Sequence, residues 1–203
     1  NGGAGNDVLE GKDGADTLNG GGDVDTATYA SSASGVIVNL TTNVNTGGDA
    51  QGDLLYAIEN LTGSNYNDTL TGNSSSNVIS GGYGDDTLDG KGGADALDGG
   101  AGTDTVTYAA STSAVSVDMT TNANSGGDAQ GDTLTNIENI IGSAYADTLT
   151  GSAYNNVITA GNGNDVLEGR GGADTIDGGN GTDTASYANS SGQVTVNLTT
   201  NVN

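Results

Sequence analysis

GGYGDDTLDG, at residues 81–90, is the stretch that decides the fold of this chain. It reads as G-G-x-G-x-D-x-U-x, in which U is a large apolar residue. Gly82 and Gly84 allow turns with positive φ and leave backbone carbonyls accessible, and Asp86 adds a hard anionic oxygen. Leu88 follows at the position of an inward-facing residue on a short strand. One nonapeptide therefore predicts an oxygen-rich loop followed by a strand, which is half of one coil.

The pattern recurs in phase over residues 2–28, 63–107 and 142–186, which together hold thirteen nonapeptides. Their apolar positions are filled by residues such as Leu70 and Val106. Repetition of this length favours a solenoid, in which each coil buries its apolar residues against the coils beside it. We therefore predict an all-β fold, a parallel β-roll or β-helix solenoid.

A longer period of 79 residues is superimposed on the nonapeptides, since GGDAQGD at residues 47–53 returns at 126–132. It divides the chain into residues 1–80, residues 81–159 and a partial repeat at 160–203, which we expect to form one continuous solenoid. Each repeat combines five of these nonapeptides, a sixth nine-residue unit in the same register at 54–62 or 133–141, and a 25-residue segment. An even number of half-turns in this segment would keep successive repeats on one face, and an odd number would alternate them. The sequence leaves both open.

Loops that are 18 residues apart should stack on the same edge of such a roll, so that their polar side chains form rows. The rows of one copy are Asp68, Asp86 and Asp104 on one edge, and Glu59, Asn77 and Asp95 on the other. The rows of the next copy are Asp147, Asp165 and Asp183, and Glu138, Asn156 and Asp174. Calcium would lie between stacked loops, because it takes six to eight oxygens from carboxylates and backbone carbonyls. Asn77 and Asn156 carry no charge, so we expect weaker or vacant sites beside them.

The candidate metal site is therefore a set of aspartates and turn glycines that could bind several Ca²⁺ ions. The aspartates are Asp7, Asp16, Asp25, Asp68, Asp86, Asp95, Asp104, Asp147, Asp165, Asp174 and Asp183. The turn glycines are Gly82, Gly84, Gly93, Gly100, Gly102, Gly161, Gly163, Gly172, Gly179 and Gly181.

Composition supports this interpretation. The chain has 203 residues with 37 Gly and no Pro, Cys, Trp or Phe, which is too few large side chains for a thick globular core. The chain has three basic and 26 acidic residues, and the net charge of -23 would keep a metal-free chain from compacting.

The same acidity argues against binding to nucleic acid or to anionic membranes, and no apolar run is long enough for membrane insertion. With no His or Cys, and with carboxylates explained more simply as calcium ligands, we do not expect an enzyme.

Several motifs remain open. GGDAQGD fails the EF-hand pattern, because Leu54 stands where that pattern needs glycine, and it is either an irregular calcium loop or a plain turn. Asp23 replaces a turn glycine and either adds a ligand or ends the regular turn.

Two sets of residues recur with the 79-residue period. Three tyrosines share one phase of this repeat and are expected to seal the core, namely Tyr29, Tyr108 and Tyr187. Three cations also share one phase and either soften local acidic repulsion or contact a neighbouring chain, namely Lys12, Lys91 and Arg170.

On these nonapeptides the chain resembles the RTX (repeats-in-toxin) family of calcium-binding β-rolls, and the resemblance covers nearly its whole length. The 79-residue unit is also similar to repeat arrays of type I secreted bacterial adhesins and to the R-modules of mannuronan epimerases. The resemblance implies export through a type I secretion channel and folding outside the cell, where calcium is abundant. It therefore implies an extracellular or cell-surface location. The uninterrupted period also suggests an excerpt from a longer array, or a protomer that neighbours continue.

Three functions follow from the sequence. The first is a calcium-rigidified spacer or filament segment in an adhesin, biofilm matrix or surface fibre, with end-to-end or lateral self-association into fibres. The second is an accessory polysaccharide-binding module, which the scarcity of cations disfavours. The third is ice binding, because the outward threonine pairs 69/71, 105/107 and 148/150 would fall on one face of the roll, although Asp89 interrupts them.

Overall fold

The computed structural model describes residues 1–196, and residues 197–203, which end the third repeat, lie outside the described part. Within residues 1–196 it contains no α-helix, 21 short strands and two single-turn 3-10 helices. The strands are β1 (Gly3–Ala4), β2 (Val8–Leu9), β3 (Thr17–Asn19), β4 (Gly21–Gly22), β5 (Thr26–Thr28), β6 (Ile37–Asn39), β7 (Leu54–Tyr56), β8 (Asn60–Thr62), β9 (Thr69–Asn73), β10 (Val78–Tyr83), β11 (Thr87–Lys91), β12 (Ala96–Ala101), β13 (Thr105–Thr107), β14 (Ser116–Asp118), β15 (Thr133–Thr135), β16 (Asn139–Ile141), β17 (Thr148–Thr150), β18 (Val157–Thr159), β19 (Val166–Glu168), β20 (Thr175–Asp177) and β21 (Thr184–Ala185). The 3-10 helices span Gly48–Ala50 and Gly127–Ala129.

The strands build the two faces of a roll, and every pair of these strands is parallel. The first face has the strand order β2-β5-β8-β10-β12-β15, followed by β14-β17-β19-β21. The second face has β3-β7, followed by β6-β9-β11-β13-β16-β18-β20. The chain crosses between the faces at each nonapeptide loop, and the glycine-rich part of each nonapeptide forms that loop. The predicted parallel β-roll is confirmed.

The core is a stack of aliphatic side chains contributed by the apolar position of each nonapeptide. Neighbours on one face come from residues 18 apart, as in the pairing of Leu70 with Leu88 and of Leu88 with Val106. The side chains that are almost fully buried in this way are Leu61, Leu70, Ile79, Leu88, Leu97, Val106, Ile140, Leu149, Ile158 and Leu167. Each contributes roughly 1.5–3 kcal/mol by leaving water, so a thin roll is stabilised without large aromatic residues.

The 25-residue segment, residues 29–53, forms a meander within one face. β6 pairs with β9 on one side, and on the other side Ile37 forms an antiparallel bridge with Thr46. The chain then turns through the first 3-10 helix and returns as β7, which pairs with β3. Asn43, at a φ of 55°, joins the two parts because its side chain donates to the Leu55 carbonyl (3.0 Å) and accepts from the Leu55 N–H (2.8 Å). The order across this face is therefore β3, β7, the residues around Thr46, β6 and β9.

The meander contributes an odd number of half-turns, so successive repeats alternate faces. Leu9 in β2 and Leu88 in β11 are equivalent in the 79-residue period but lie on opposite faces. The second meander, residues 108–132, accordingly lies on the first face, where Asn122 bonds Leu134 as Asn43 bonds Leu55. The prediction that the threonine pairs share one face is wrong for this reason: the pairs in β9 and β13 share a face, whereas the pair in β17 lies on the other.

Two of the three equivalent tyrosines seal the core, as predicted. Tyr29 and Tyr108 are fully buried, and their hydroxyls donate to Oδ2 of Asp53 (3.2 Å) and of Asp132 (3.0 Å). Burial and the neighbouring carboxylate raise the pKa of the Tyr108 hydroxyl well above its usual value, so the proton stays available for donation. Tyr187 is 37% exposed and does not seal the core within the described residues.

We predict that Tyr108→Phe destabilises the calcium-loaded roll by about 1–3 kcal/mol, because it leaves the buried Oδ2 of Asp132 without its donor. The measurement is a urea unfolding midpoint at pH 8. Burial raises the pKa of Asp132 to about 6, so its carboxylate is still ionised at this pH. Tyr83→Phe is the matched control, because Tyr83 is 64% exposed, and we expect a change within about 0.5 kcal/mol. Equal effects of the two substitutions would contradict a structural role for the Tyr108 hydroxyl.

Candidate metal centre

The predicted rows of polar side chains are present along both edges of the roll. The N–H of Asp68 donates to Oδ1 of Asp86 (2.8 Å), and the N–H of Asp86 donates to Oδ1 of Asp104 (2.8 Å). On the opposite edge the N–H of Asn77 donates to Oδ1 of Asp95 (2.8 Å). Each carboxylate is thus held at a fixed point of its loop by the coil before it.

The remaining predicted aspartates follow the same rule. The N–H of Asp7 donates to Asp25 (2.8 Å), that of Asp147 to Asp165 (2.8 Å), and that of Asp165 to Asp183 (3.1 Å). The N–H of Asn156 donates to Asp174 (3.0 Å). Asp174 is half-buried and Asp183 is exposed, so the third repeat holds these two less tightly within the described residues.

The rows contain two further aspartates, which sequence reasoning considered only as the last residue of the GGDAQGD motif and not as members of the rows. Asp53 accepts from the N–H of Asp16 (2.8 Å), and Asp132 accepts from the N–H of Asp95 (2.9 Å). The sequence does indicate that they belong to the rows, because Asp53 precedes the core residue Leu55 by two positions, as Asp86 precedes Leu88. Because the second carboxylate oxygen of each already accepts from a buried tyrosine, these residues close the rows through protein hydrogen bonds.

This arrangement favours the turn interpretation of GGDAQGD over the calcium interpretation. Its first part is the 3-10 helix Gly48–Ala50, in which the N–H of Asp49 bonds the Ser32 hydroxyl (3.1 Å). Its last residue, Asp53, has both carboxylate oxygens occupied by protein donors. The motif therefore ends the meander and returns the chain to the roll.

The Oδ2 atoms of seven row aspartates are buried and have no hydrogen-bond partner in the described structure. These aspartates are Asp7, Asp16, Asp25, Asp86, Asp95, Asp104 and Asp165. Burial raises the pKa of both Asp86 and Asp95 to about 7, because an ionised carboxylate loses its hydration there. A buried anionic oxygen without a donor is costly unless a cation pairs with it. These atoms therefore fit a hard divalent cation.

The carboxylates do not form a complete site by themselves. Within residues 1–196 no three acidic side chains converge closely enough to hold a metal ion. Calcium requires six to eight oxygens, so the others would have to come from backbone carbonyls of the loops and from water. The loops stack closely enough for this, since a Cβ on Gly84 would lie 2.8 Å from the carbonyl oxygen of Tyr66 in the coil before.

All ten predicted turn glycines adopt positive φ, between 80° and 158°. Side chains with a Cβ rarely adopt this region, which explains the glycine requirement at these positions.

The three cations were not expected to adopt positive φ, yet Lys12, Lys91 and Arg170 have φ of 67°, 65° and 68°. Asp23 also adopts the conformation of the glycine it replaces, with φ of 76°, and accepts from the N–H of Gly5 (3.0 Å).

Each cation is paired with an acidic side chain of the same chain. Lys91 Nζ lies 2.7 Å from Asp89 Oδ2, and Arg170 contacts Asp118 at 3.3 Å. Lys12 lies 3.8 Å from Glu10. These distances favour local neutralisation of acidic repulsion over contact with a neighbouring chain.

A second row of hydrogen bonds joins the loops outside the aspartate rows and runs in the opposite direction. The N–H of Asp85 donates to Oδ1 of Asn67 (3.0 Å), and the N–H of Thr103 donates to Oδ1 of Asp85 (2.8 Å). Here the donor belongs to the later coil, whereas in the aspartate rows it belongs to the earlier coil. Two stacked loops are therefore joined reciprocally, which fixes their spacing.

Comparison with known proteins supports the same interpretation. The family model for the RTX calcium-binding nonapeptide repeat, which spans four copies, matches residues 1–28, 57–82, 71–106, 132–153, 141–175 and 150–185. These segments together cover about two thirds of the chain. No curated protein matches the chain significantly. In the part that the structure describes, no helix has the length and apolar character needed to cross a membrane.

We predict that the calcium-free chain is more stable at pH 5 than at pH 8. Asp86 and Asp95 have a pKa of about 7 when folded, against about 3.9 in an unfolded chain, so the folded state binds more protons. Their contribution is fully present below the unfolded pKa and is lost as the pH rises through about 7. The measurement is the β-sheet signal of circular dichroism in excess chelator, which should be larger at pH 5 than at pH 8, where the calcium-free chain is largely coil.

Saturating calcium should abolish this pH dependence, because the cation replaces the proton as partner of the carboxylates. Asp86→Asn is the matched variant: its neutral amide should reduce the difference between pH 5 and pH 8 in chelator. A calcium-free chain that is more stable at pH 8 would show that these carboxylates are not buried as described.

Proposed function

The chain belongs to the family of RTX calcium-binding nonapeptide repeats, and from this premise we propose that it is a calcium-rigidified spacer or filament segment of a secreted or surface-exposed bacterial protein. Repeats of this family bind calcium, are generally structural and are typical of secreted extracellular bacterial proteins. The finer role, in an adhesin, biofilm matrix or surface fibre, is our proposal. It includes export by type I secretion before folding.

The observation that supports the proposal most directly is the set of buried Oδ2 atoms without a partner. Asp86, Asp95 and Asp104 are each almost fully buried, and their loops carry the positive-φ glycines that expose carbonyls. With a net charge of -23 in 203 residues, the coils repel one another unless cations lie between them. Calcium would supply the positive charge, and predicted aspartates such as these three, together with the predicted turn glycines, would hold it.

The uniform stacking of the coils supports a mechanical role. Parallel pairs continue along both faces, and the side chains at the loops are engaged in bonds between coils. Ions that bind only the folded chain add their binding free energy to its stability, so a calcium-rich exterior would hold the roll rigid. We extend the proposal to end-to-end or lateral self-association, with calcium as the partner that makes the coils rigid.

The two other functions have less support. An accessory polysaccharide-binding module would need free cations for an acidic polymer, but Lys91 and Arg170 are paired within the chain. An ice-binding face would need an unbroken threonine ladder. Asp89 pairs with Thr71 and so interrupts the ladder in the next coil, and the third threonine pair lies on the other face. No observation favours either function.

We predict that calcium converts the isolated chain from coil to β structure, with a midpoint of about 0.1–1 mM, as is typical of extracellular calcium modules. The measurement is circular dichroism with analytical ultracentrifugation, from excess chelator to about 10 mM calcium, with the same range of magnesium as the control. Elongated monomers would support a spacer, and end-to-end polymers would support a filament segment. Full β structure in excess chelator at pH 8, or an equal response to magnesium, would refute a calcium-dependent spacer.

A further inference from the structure

The thirteen nonapeptide loops adopt two backbone conformations. Nine of them, which we call open loops, have positive φ at both the second and the fourth position; they begin at residues 2, 11, 20, 81, 90, 99, 160, 169 and 178. The other four, which we call closed loops, have positive φ at neither position; they begin at residues 63, 72, 142 and 151. Positive φ at these positions is not restricted to glycine, since Lys91 and Arg170 also adopt it in open loops.

The closed loops bond their own sixth residue. In the loop that begins at residue 63, the N–H of Ser64 donates to Asp68 Oδ2 (2.5 Å) and its hydroxyl donates to Oδ1 (2.8 Å). Ser143 makes the same two bonds to Asp147, at 2.6 and 2.7 Å. The second residue thus donates a hydrogen bond to Oδ2, the carboxylate oxygen that has no partner in the open loops.

The other two closed loops carry asparagine at the sixth position. The N–H groups of Asn73 and Ser152 donate to Oδ1 of Asn77 (2.9 Å) and of Asn156 (2.7 Å). The Nδ2 group of Asn156 then donates to the carbonyl of Glu138 in the coil before (2.7 Å). An amide donor therefore occupies a carbonyl that a cation would otherwise need.

The seven partnerless Oδ2 atoms all belong to open loops, and none belongs to the four closed loops. In an open loop the N–H of the second residue makes no bond to the aspartate; Gly82, before Asp86, has positive φ and pairs with Gly100 in the next coil. Within residues 1–196 the hydrogen bonding of each loop therefore follows from the backbone conformation of its second and fourth residues.

We infer that the closed loops do not take calcium, because a protein donor fills the place of the cation, and that only the open loops do. Open loops occur in three blocks, at residues 2–28, 81–107 and 160–186. The blocks are separated by residues 29–80 and 108–159, each of which holds a meander and two closed loops. Calcium sites are thus grouped in blocks of three loops and separated by stretches whose loops are closed by the protein itself.

This inference rests on the proposed function, because it assigns the calcium of that same roll to particular loops. The test compares two aspartates of one row, 18 residues apart, in the full chain. Asp86→Asn, in an open loop, should reduce the number of bound calcium ions by at least one and raise the calcium midpoint several-fold. Asp68→Asn, in a closed loop, should leave both unchanged. Calorimetric titration against a competing chelator counts the ions.

A gain of binding provides the reciprocal test. Ser64→Gly with Tyr66→Gly converts the closed loop to GGNGNDTLT, which has the glycines of an open loop. We expect at least one additional calcium ion, and we expect none for the control pair Ser64→Ala with Tyr66→Ala. The pair Asp165→Asn and Asp147→Asn repeats the first comparison in the next copy, should Asp86→Asn fail to fold.

The outcomes separate the two ideas. A wild-type chain that binds no calcium would refute the proposed function. A wild-type chain that binds calcium but loses equal numbers of ions with Asp68→Asn and Asp86→Asn would overturn only the assignment to open loops. The absence of any gain in the double glycine variant, with its fold intact, would also overturn it.

Discussion

The structure depends on the pairing of buried carboxylates along the edges of the roll. In the row aspartates from Asp25 onward, one carboxylate oxygen accepts a backbone N–H from an earlier part of the chain, which fixes the carboxylate against the stack. In seven of the nine open loops the other oxygen is buried without a donor. The same group that sets the distance between coils therefore also creates the demand for a cation. Stacking and metal binding are two consequences of one residue at one position.

The core continues through loops of both conformations. Leu70 is buried after a closed loop that turns without positive φ, and Leu88 is buried after an open loop that turns with positive φ at Gly82 and Gly84. In this open loop no N–H bonds Oδ2 of Asp86, which is left unpaired. Where serine or asparagine occupies the second position, the backbone instead donates to the sixth residue and the loop is closed without a metal. The backbone conformation of the second and fourth residues therefore changes the chemistry of a loop while the roll continues.

Local features were predictable from the sequence, because the nonapeptide is a local pattern. The buried aliphatic rows, the rows of aspartates and the positive φ of the ten glycines follow from one nine-residue unit repeated in phase. The even or odd number of half-turns in the meander was not predictable, because it depends on which distant strands pair, such as β7 with β3. Asp53 and Asp132 were considered only as the last residue of GGDAQGD and were not placed in the rows, because they lie outside the nonapeptide runs, although their spacing to the next core residue matches that of the nonapeptides. The positive φ of Lys91 was missed because a lysine gives no local indication of it.

The order of strands in the meander has a consequence for the path of a long array. On the second face, three strand positions (β7, the residues around Thr46 and β6) separate β3 from β9, whereas on the first face only β5 separates β2 from β8. The second face is therefore longer by two strand spacings, or about 10 Å, and each meander acts as a wedge that tilts the axis toward the other face. If every wedge lay on the same side, the array would curl into a ring or a superhelix. Because the wedges alternate sides, each tilt is reversed by the next, and a chain of many repeats would advance as a shallow zigzag along a straight line.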